Sequence, residues 1–146
     1  MFQINTRGAL LCSQAAIPLM RERGGGSIVN IGSCAAFVSG GNLTAYAISK
    51  SALYALTMSM AKTFAREKIR VNWITVGWVM TDNEIALQKS LGHDERWFEE
   101  MRRKMPIGEF QTPEDIAASC VFLASDEARH VTGSDIRATG GLCVNT

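Results

Sequence analysis

Charge of one sign is what this sequence most plainly lacks: 15 lysines and arginines stand against 14 aspartates and glutamates over 146 residues. A chain so balanced offers no net field to gather nucleic acid or an anionic membrane surface. Either role would need a local basic patch, and Arg102-Arg103-Lys104 is the one candidate. It follows Glu99-Glu100 on a predicted helix, so its expected place is a solvated face of mixed charge. Histidine is scarce, with His93 and His130 far apart, and the cysteines at 12, 34, 120 and 143 form no C-x-x-C. Structural zinc needs clustered ligands, so no metal is expected. Scattered cysteines of this kind read as reduced, small residues of a cytosolic protein. Long apolar runs are missing too. No stretch approaches the roughly 18–20 residues of a membrane span. The few apolar residues before Cys12 fall short of the ~7–15 that an export signal requires. The expected protein is soluble and cytoplasmic.

Against these absences the pattern of elements is clear. Apolar spacing predicts a helix over 3–23, carried by Ile4, Leu10, Leu11, Ala15, Ile17, Leu19 and Met20. Pro18 is expected to bend it and Gly24-Gly25-Gly26 to stop it. Residues 27–33 are a short β-branched run that reads as a buried strand. Small and glycine-bearing residues at 34–42 read as loop. A long helix follows over 43–68, rich in Ala, Ser, Met and Leu, and able to pack closely on a sheet or on another subunit. Residues 69–76 give a second strand, ended by Gly77. Two short helices broken at Gly92 fill 82–105. Thr112-Pro113-Glu114-Asp115 is a helix start, with a capping threonine, proline in the first turn and acids beside it. That helix runs to about Ser125, and residues 135–139 form a last strand before Gly140-Gly141. Helices of this length between strands require crossover connections. The fold class is therefore α/β, with parallel strands covered by helices on both faces. Three strands make a small sheet for that architecture.

Tyr46 and Lys50 are four apart near the start of the long helix, so both lie on one face. Such pairs are common on helix surfaces, and the setting singles this one out. A strand ends in Ser33, a glycine-bearing loop follows, and then comes Tyr46, at the sheet edge where α/β proteins put ligands. A phenol with an ordinary pKa near ~10 must be shifted by about three units to exchange protons near neutrality. An ammonium one helical turn away favours the phenolate. A serine hydroxyl can hold a substrate oxygen against it.

With these residues on the page the chain resembles the short-chain dehydrogenase/reductase family along nearly its whole length. The matching elements are Asn5-x-x-Gly8, Ser33, Tyr46-Ala47-Ile48-Ser49-Lys50, Arg70-Val71-Asn72, Gly77-Trp78-Val79-Met80-Thr81, Thr112-Pro113-Glu114-Asp115-Ile116-Ala117 and Val131-Thr132-Gly133 before Gly140-Gly141. The resemblance implies a Rossmann-like oxidoreductase that uses NAD or NADP on an alcohol or carbonyl. It implies Tyr46 as general acid/base and as a cofactor-binding residue, Ser33 as the substrate-orienting hydroxyl and Lys50 as the residue that tunes the tyrosine and binds the nicotinamide ribose. It implies that the backbone of Asn5 holds a water in the proton relay. Gly77, Val79 and Thr81 would meet the nicotinamide and the adjoining phosphate, and 82–105 would be the substrate lid. Trp97 and Phe98 in that lid read first as packing residues and second as pocket wall. The resemblance also implies pairing through the helices at 3–23 and 43–68, as a homo-oligomer or with a full-length relative.

Departures from the family pattern are Val76 where proline is usual, Glu109 where arginine is common and Thr139 where aspartate is common. The largest is the absence of a glycine-rich strand-turn-helix for the pyrophosphate. Gly24-Gly25-Gly26 follows a helix and precedes a strand, the wrong order. The chain is therefore expected to be one partial catalytic domain, the C-terminal portion of such an enzyme, with weak NAD(P) binding. The alternative is a non-catalytic truncated relative that dimerises through its two long helices.

Overall fold

In a computed structural model that describes residues 1–38 and 41–144, the β-branched runs become three parallel strands. These are β1 (Gly26–Ile31), β2 (Ile69–Val76) and β3 (Asp135–Ala138). β2 lies between the other two, with Gly26 opposite Ile69 and Trp73 opposite Asp135. Around the sheet run α1 (Ala9–Glu22), α2 (Thr44–Phe64), α3 (Asp82–Ser90), α4 (Glu95–Lys104) and α5 (Pro113–Ala124). The α/β class and the parallel arrangement are as the sequence implied.

Side chains alternate across a strand, so β2 serves two layers. Ile69 and Val71 pack with Ile17 of α1 and with Met60 and Ala61 of α2. Ile74 packs on the other side with Ile116 and Leu123 of α5. Polar groups inside are answered. Asn30 Nδ2 donates to Thr57 Oγ1 at 2.9 Å, and Asn72 bridges the carbonyl of Val131 and the amide of Ser134. Arg70 donates to the carbonyls of Leu123 and Ser125, putting a cation at the C-terminal end of α5. The start of α5 carries the threonine cap its sequence announced, completed to a capping box in which Thr112 and Asp115 bond each other's backbone amides.

Several expectations need correction. The first helix is not one helix: Gln3–Gly8 winds as a π-turn before α1 begins. The long helix stops at Phe64, followed by the tight turn Ala65–Glu67 and by Lys68 in the left-handed region at φ 57°. The loop at 34–42 contains single turns at Cys34–Ala36 and Gly41–Leu43, while Ser39 and Gly40 lie outside the described residues. The strands end one or two residues early, at Ile31 and Ala138. The cysteines are not all reduced. Cys34 and Cys143 form a disulfide across a separation of 109 positions, and Cys12 and Cys120 are free. The tail can return because Gly140 and Gly141 adopt φ of 57° and 86°, turning the chain back after β3.

Candidate functional site

Three consecutive residues of α2 tie together the segments that carry the candidate site. Ser49, wholly buried, accepts from Asn5 Nδ2 at 3.0 Å and donates to the Tyr46 carbonyl. Lys50 Nζ donates to the carbonyl of Ile31 at 2.9 Å. Ser51 Oγ donates to the carbonyl of Ala36 at 2.7 Å. Asn5 stands in the π-turn, Ile31 ends β1, and Ala36 closes the turn that Ser33 begins. One helical turn therefore gathers all three.

Lys50 and Tyr46 share a face of α2, the ammonium 5.8 Å from the centre of the phenol ring. Burial holds the Lys50 amine below the ordinary lysine value. Its carbonyl partner lies on the outer edge of the sheet. Gly32 donates its amide to Ile74 of β2, so the preceding carbonyl, of Ile31, points the opposite way. Ser33 is half-buried, and its Oγ accepts the amide of Ala35 at 3.2 Å, leaving its own proton free to donate.

A stability test follows from the lysine. A lysine whose folded pKa is depressed costs stability below that pKa, and the cost fades as pH rises toward its ordinary 10.5. Lys50→Met removes the group. The unfolding free energy of the parent minus that of Lys50→Met should climb as pH is raised toward 10.5. A flat or falling difference in urea melts would show that burial of the amine has no such effect.

The segment after β2 is held by a residue the sequence did not mark. Gln111 accepts the amide of Gly77 on Oε1 at 3.0 Å and donates from Nε2 to the carbonyl of Ala138 at 2.6 Å. Its backbone pairs with Val79 in an isolated parallel bridge. A Cβ on Gly77 would stand 2.5 Å from Gln111 Oε1. Thr81 caps α3, its hydroxyl accepting the amide of Glu84. Where the family pattern has proline, Val76 keeps its place in the sheet opposite Ala138.

After β2, α3 and α4 border a cavity of about 630 Å³ with Met80, Ile85, Phe98 and Phe110 among its walls, and Glu109 beside them. Neither Ser33 nor Tyr46 nor Lys50 lines it. Trp97 is a packing residue, stacked on His93 at 4.0 Å and edge-on to Trp78. Arg102 and Arg103 pair with Glu99 on the exposed face of α4. No helix among the described residues is long and apolar enough to cross a membrane.

A second missed residue is Trp73. It is wholly buried in β2, its Nε1 donating to Thr75 Oγ1, with Phe37 and Tyr54 edge-on to its ring. Gly32 rests directly on that ring. The residue before Ser33 is thereby seated on a rigid surface. An aromatic inside a β-branched run announces burial but not what it supports.

The described residues fit the nicotinamide-ribose end of a dinucleotide better than its pyrophosphate. Lys50 has ammonium protons beyond the one given to Ile31, and the Thr81 hydroxyl can still donate. The glycine cluster has nothing to offer a phosphate. The amides of Gly24, Gly25 and Gly26 are spent on the carbonyls of Arg21, Met20 and Lys68.

Known proteins resemble this chain over nearly its whole length. Residues 1–143 match the family model described as enoyl-(acyl carrier protein) reductase. The chain is 40% identical over 141 residues to 2-(S)-hydroxypropyl-CoM dehydrogenase 3 of Xanthobacter autotrophicus, covering 95% of this chain and 54% of that protein. It is 36% identical over 138 residues to dehydrogenase/reductase SDR family member 4 of Oryctolagus cuniculus, covering 94% and 52%. A crystal structure of a gluconate 5-dehydrogenase from Burkholderia cenocepacia, in complex with NADP and tartrate, superposes with a TM-score of 0.87 at 27% identity, covering 100% of this chain and 56% of that one. The chain thus spans about half the length of the curated relatives it matches. Fold, ordered motifs and matched length together place this chain in the short-chain dehydrogenase/reductase family.

Proposed function

We propose that this chain carries the proton-transfer centre of an NAD(P)-dependent oxidoreductase acting on a small alcohol or carbonyl compound. The observation that carries this reading is the run Ser49-Lys50-Ser51, which binds the Asn5 turn, the end of β1 and the Ser33 turn to the helix bearing Tyr46. Ser33, its oxygen engaged by Ala35, turns its proton to the substrate oxygen. Tyr46 gives or takes the proton at that same oxygen. Lys50 stabilises the phenolate and holds the ribose, and Asn5 supports the water through which the proton leaves. Gly77, Val79 and Thr81 form the seat for the nicotinamide end. NAD or NADP, when bound, supplies the hydride chemistry.

Binding of the dinucleotide by this chain alone is weak, because the amides of Gly24, Gly25 and Gly26 are bonded within the chain and do not receive the pyrophosphate. The test has two parts. Fluorescence titration with NADPH should give a dissociation constant in the millimolar range, and micromolar affinity would refute weak binding. Hydride transfer, followed by nicotinamide absorbance at millimolar NADP over a panel of secondary alcohols, should be detectable and should vanish in Tyr46→Phe. Equal rates in the two proteins would remove Tyr46 from the mechanism.

A second reading, a non-catalytic chain that pairs through its two long helices, draws on one observation. Leu10, Leu11 and Leu19 of α1 and Ile48 of α2 are exposed. The same apolar surface suits homo-oligomer formation by an active enzyme. Light scattering gives the mass, and only the activity assay separates the two readings.

A further inference from the structure

We propose that Cys34 and Cys143 form a reversible thiol–disulfide site whose closure holds the Ser33 turn in place. Their Cα atoms lie 5.9 Å apart, within the roughly 4.4–6.8 Å that a disulfide spans. Cys34 is the residue after Ser33 and opens the single turn Cys34–Ala36, whose Ala35 and Ala36 amides donate to the hydroxyl and the carbonyl of Ser33. Cys143 belongs to the tail beyond β3. Bonding the two fastens the end of the chain to the turn that sets the serine.

A second contact joins the same two segments without sulfur. Arg137 Nη1 donates to the carbonyl of Cys143 at 3.2 Å, and its guanidinium lies 5.6 Å over the ring of Phe37. Arg137 and Phe37 are both exposed. The tail is therefore guided to Cys34 by contacts too solvated to keep it there once the sulfurs part. Cys12 and Cys120 are free; Cys12 is exposed, while burial pushes the Cys120 thiol up, away from the reactive thiolate form.

The step is exchange with a low-molecular-mass disulfide such as oxidised glutathione. The thiolate of one cysteine attacks a glutathione sulfur, breaking its S–S bond and releasing one glutathione thiolate. The second cysteine attacks the mixed disulfide, forming Cys34–Cys143 and releasing the other. Two protein thiols are oxidised, one glutathione disulfide becomes two thiols, and the two protons pass to the departing thiolates. Reduced glutathione reverses the sequence.

The catalytic meaning of this switch rests on the proposed role of Ser33, but its test does not. The full chain is equilibrated over a range of reduced-to-oxidised glutathione ratios, acid-quenched, and alkylated in denaturant. Intact mass should pass from four maleimide adducts to two as the buffer becomes oxidising. In parallel, amide exchange at Ala35, Ala36 and Phe37 should be about tenfold faster or more in the reduced protein and in Cys143→Ser than in the oxidised parent. Should Cys143→Ser fail to fold, the parent kept in a phosphine reductant supplies the same open state. Four adducts at every ratio, or exchange rates unchanged by reduction, would overturn the proposal. A Tyr46→Phe protein with full activity would instead refute the dehydrogenase reading and leave these sulfur and exchange results as they stand.

Discussion

Gly32→Ala is expected to lower the free energy of unfolding by about 3 kcal/mol or more, the upper end of what one extra methyl does in a packed interior. The added carbon would sit 2.0 Å from two ring carbons of Trp73. That ring has nowhere to go. It is wholly buried, its Nε1 is bonded to Thr75, Thr75 is bonded in turn to Asp135, and Tyr54 stands 5.2 Å away edge-on. Gly32 itself is fixed from the other side by its amide bond to Ile74. The clash therefore falls on the backbone just ahead of Ser33. Urea unfolding of the single and double variants measures it. In a Trp73→Leu background, destabilised in its own right by the lost packing, the same methyl should cost less than about 1 kcal/mol, a coupling of some 2 kcal/mol or more. Equal costs in the two backgrounds would mean that the ring is not what forbids a side chain at 32.

Tyr46→Phe should lower turnover by about a thousandfold, within the 10²–10⁴ range that a positioned acid/base contributes. The phenyl ring retains its place beside Lys50, 5.8 Å from the ammonium, so packing and dinucleotide affinity should be nearly unchanged. Loss in kcat with an unaltered NADP dissociation constant is thus the signature of proton transfer at the hydroxyl. A comparable fall in NADP affinity would mean that the hydroxyl serves chiefly to bind the cofactor.

Local signals in the chain foretold the elements, because each is written in neighbouring residues. Thr112-Pro113-Glu114-Asp115 begins a helix, and the glycines at 24–26 end one. The crossovers between β-branched runs dictated a parallel sheet. The likeness of Tyr46, Lys50, Ser33 and Asn5 to a family pattern pointed to one neighbourhood, and the ties from Ser49, Lys50 and Ser51 lie there. What stayed hidden depends on residues far apart in the chain. A glutamine at 111 shows no sign of bridging Gly77 and Ala138 until the ends of β2 and β3 are side by side. The cysteines illustrate the same limit. Nothing near Cys34 or Cys143 announces a partner, and their meeting waits on the reversal at Gly140 and Gly141. Trp73 was visible as an apolar strand residue, while its office as the floor beneath Gly32 needed the contact distance.

The central position of β2 has a consequence for how the chain comes into being. Its neighbours in space are β1, emitted from the ribosome one long helix earlier, and β3, emitted three helices later. Until 135–138 have cleared the exit tunnel, the backbone of Trp73–Val76 lacks the mate it will have in the sheet. Pairings at such sequence distance are slow to form, and the interval leaves a sticky apolar ribbon open to other nascent chains. Completion of this side of the core thus waits on the synthesis of β3.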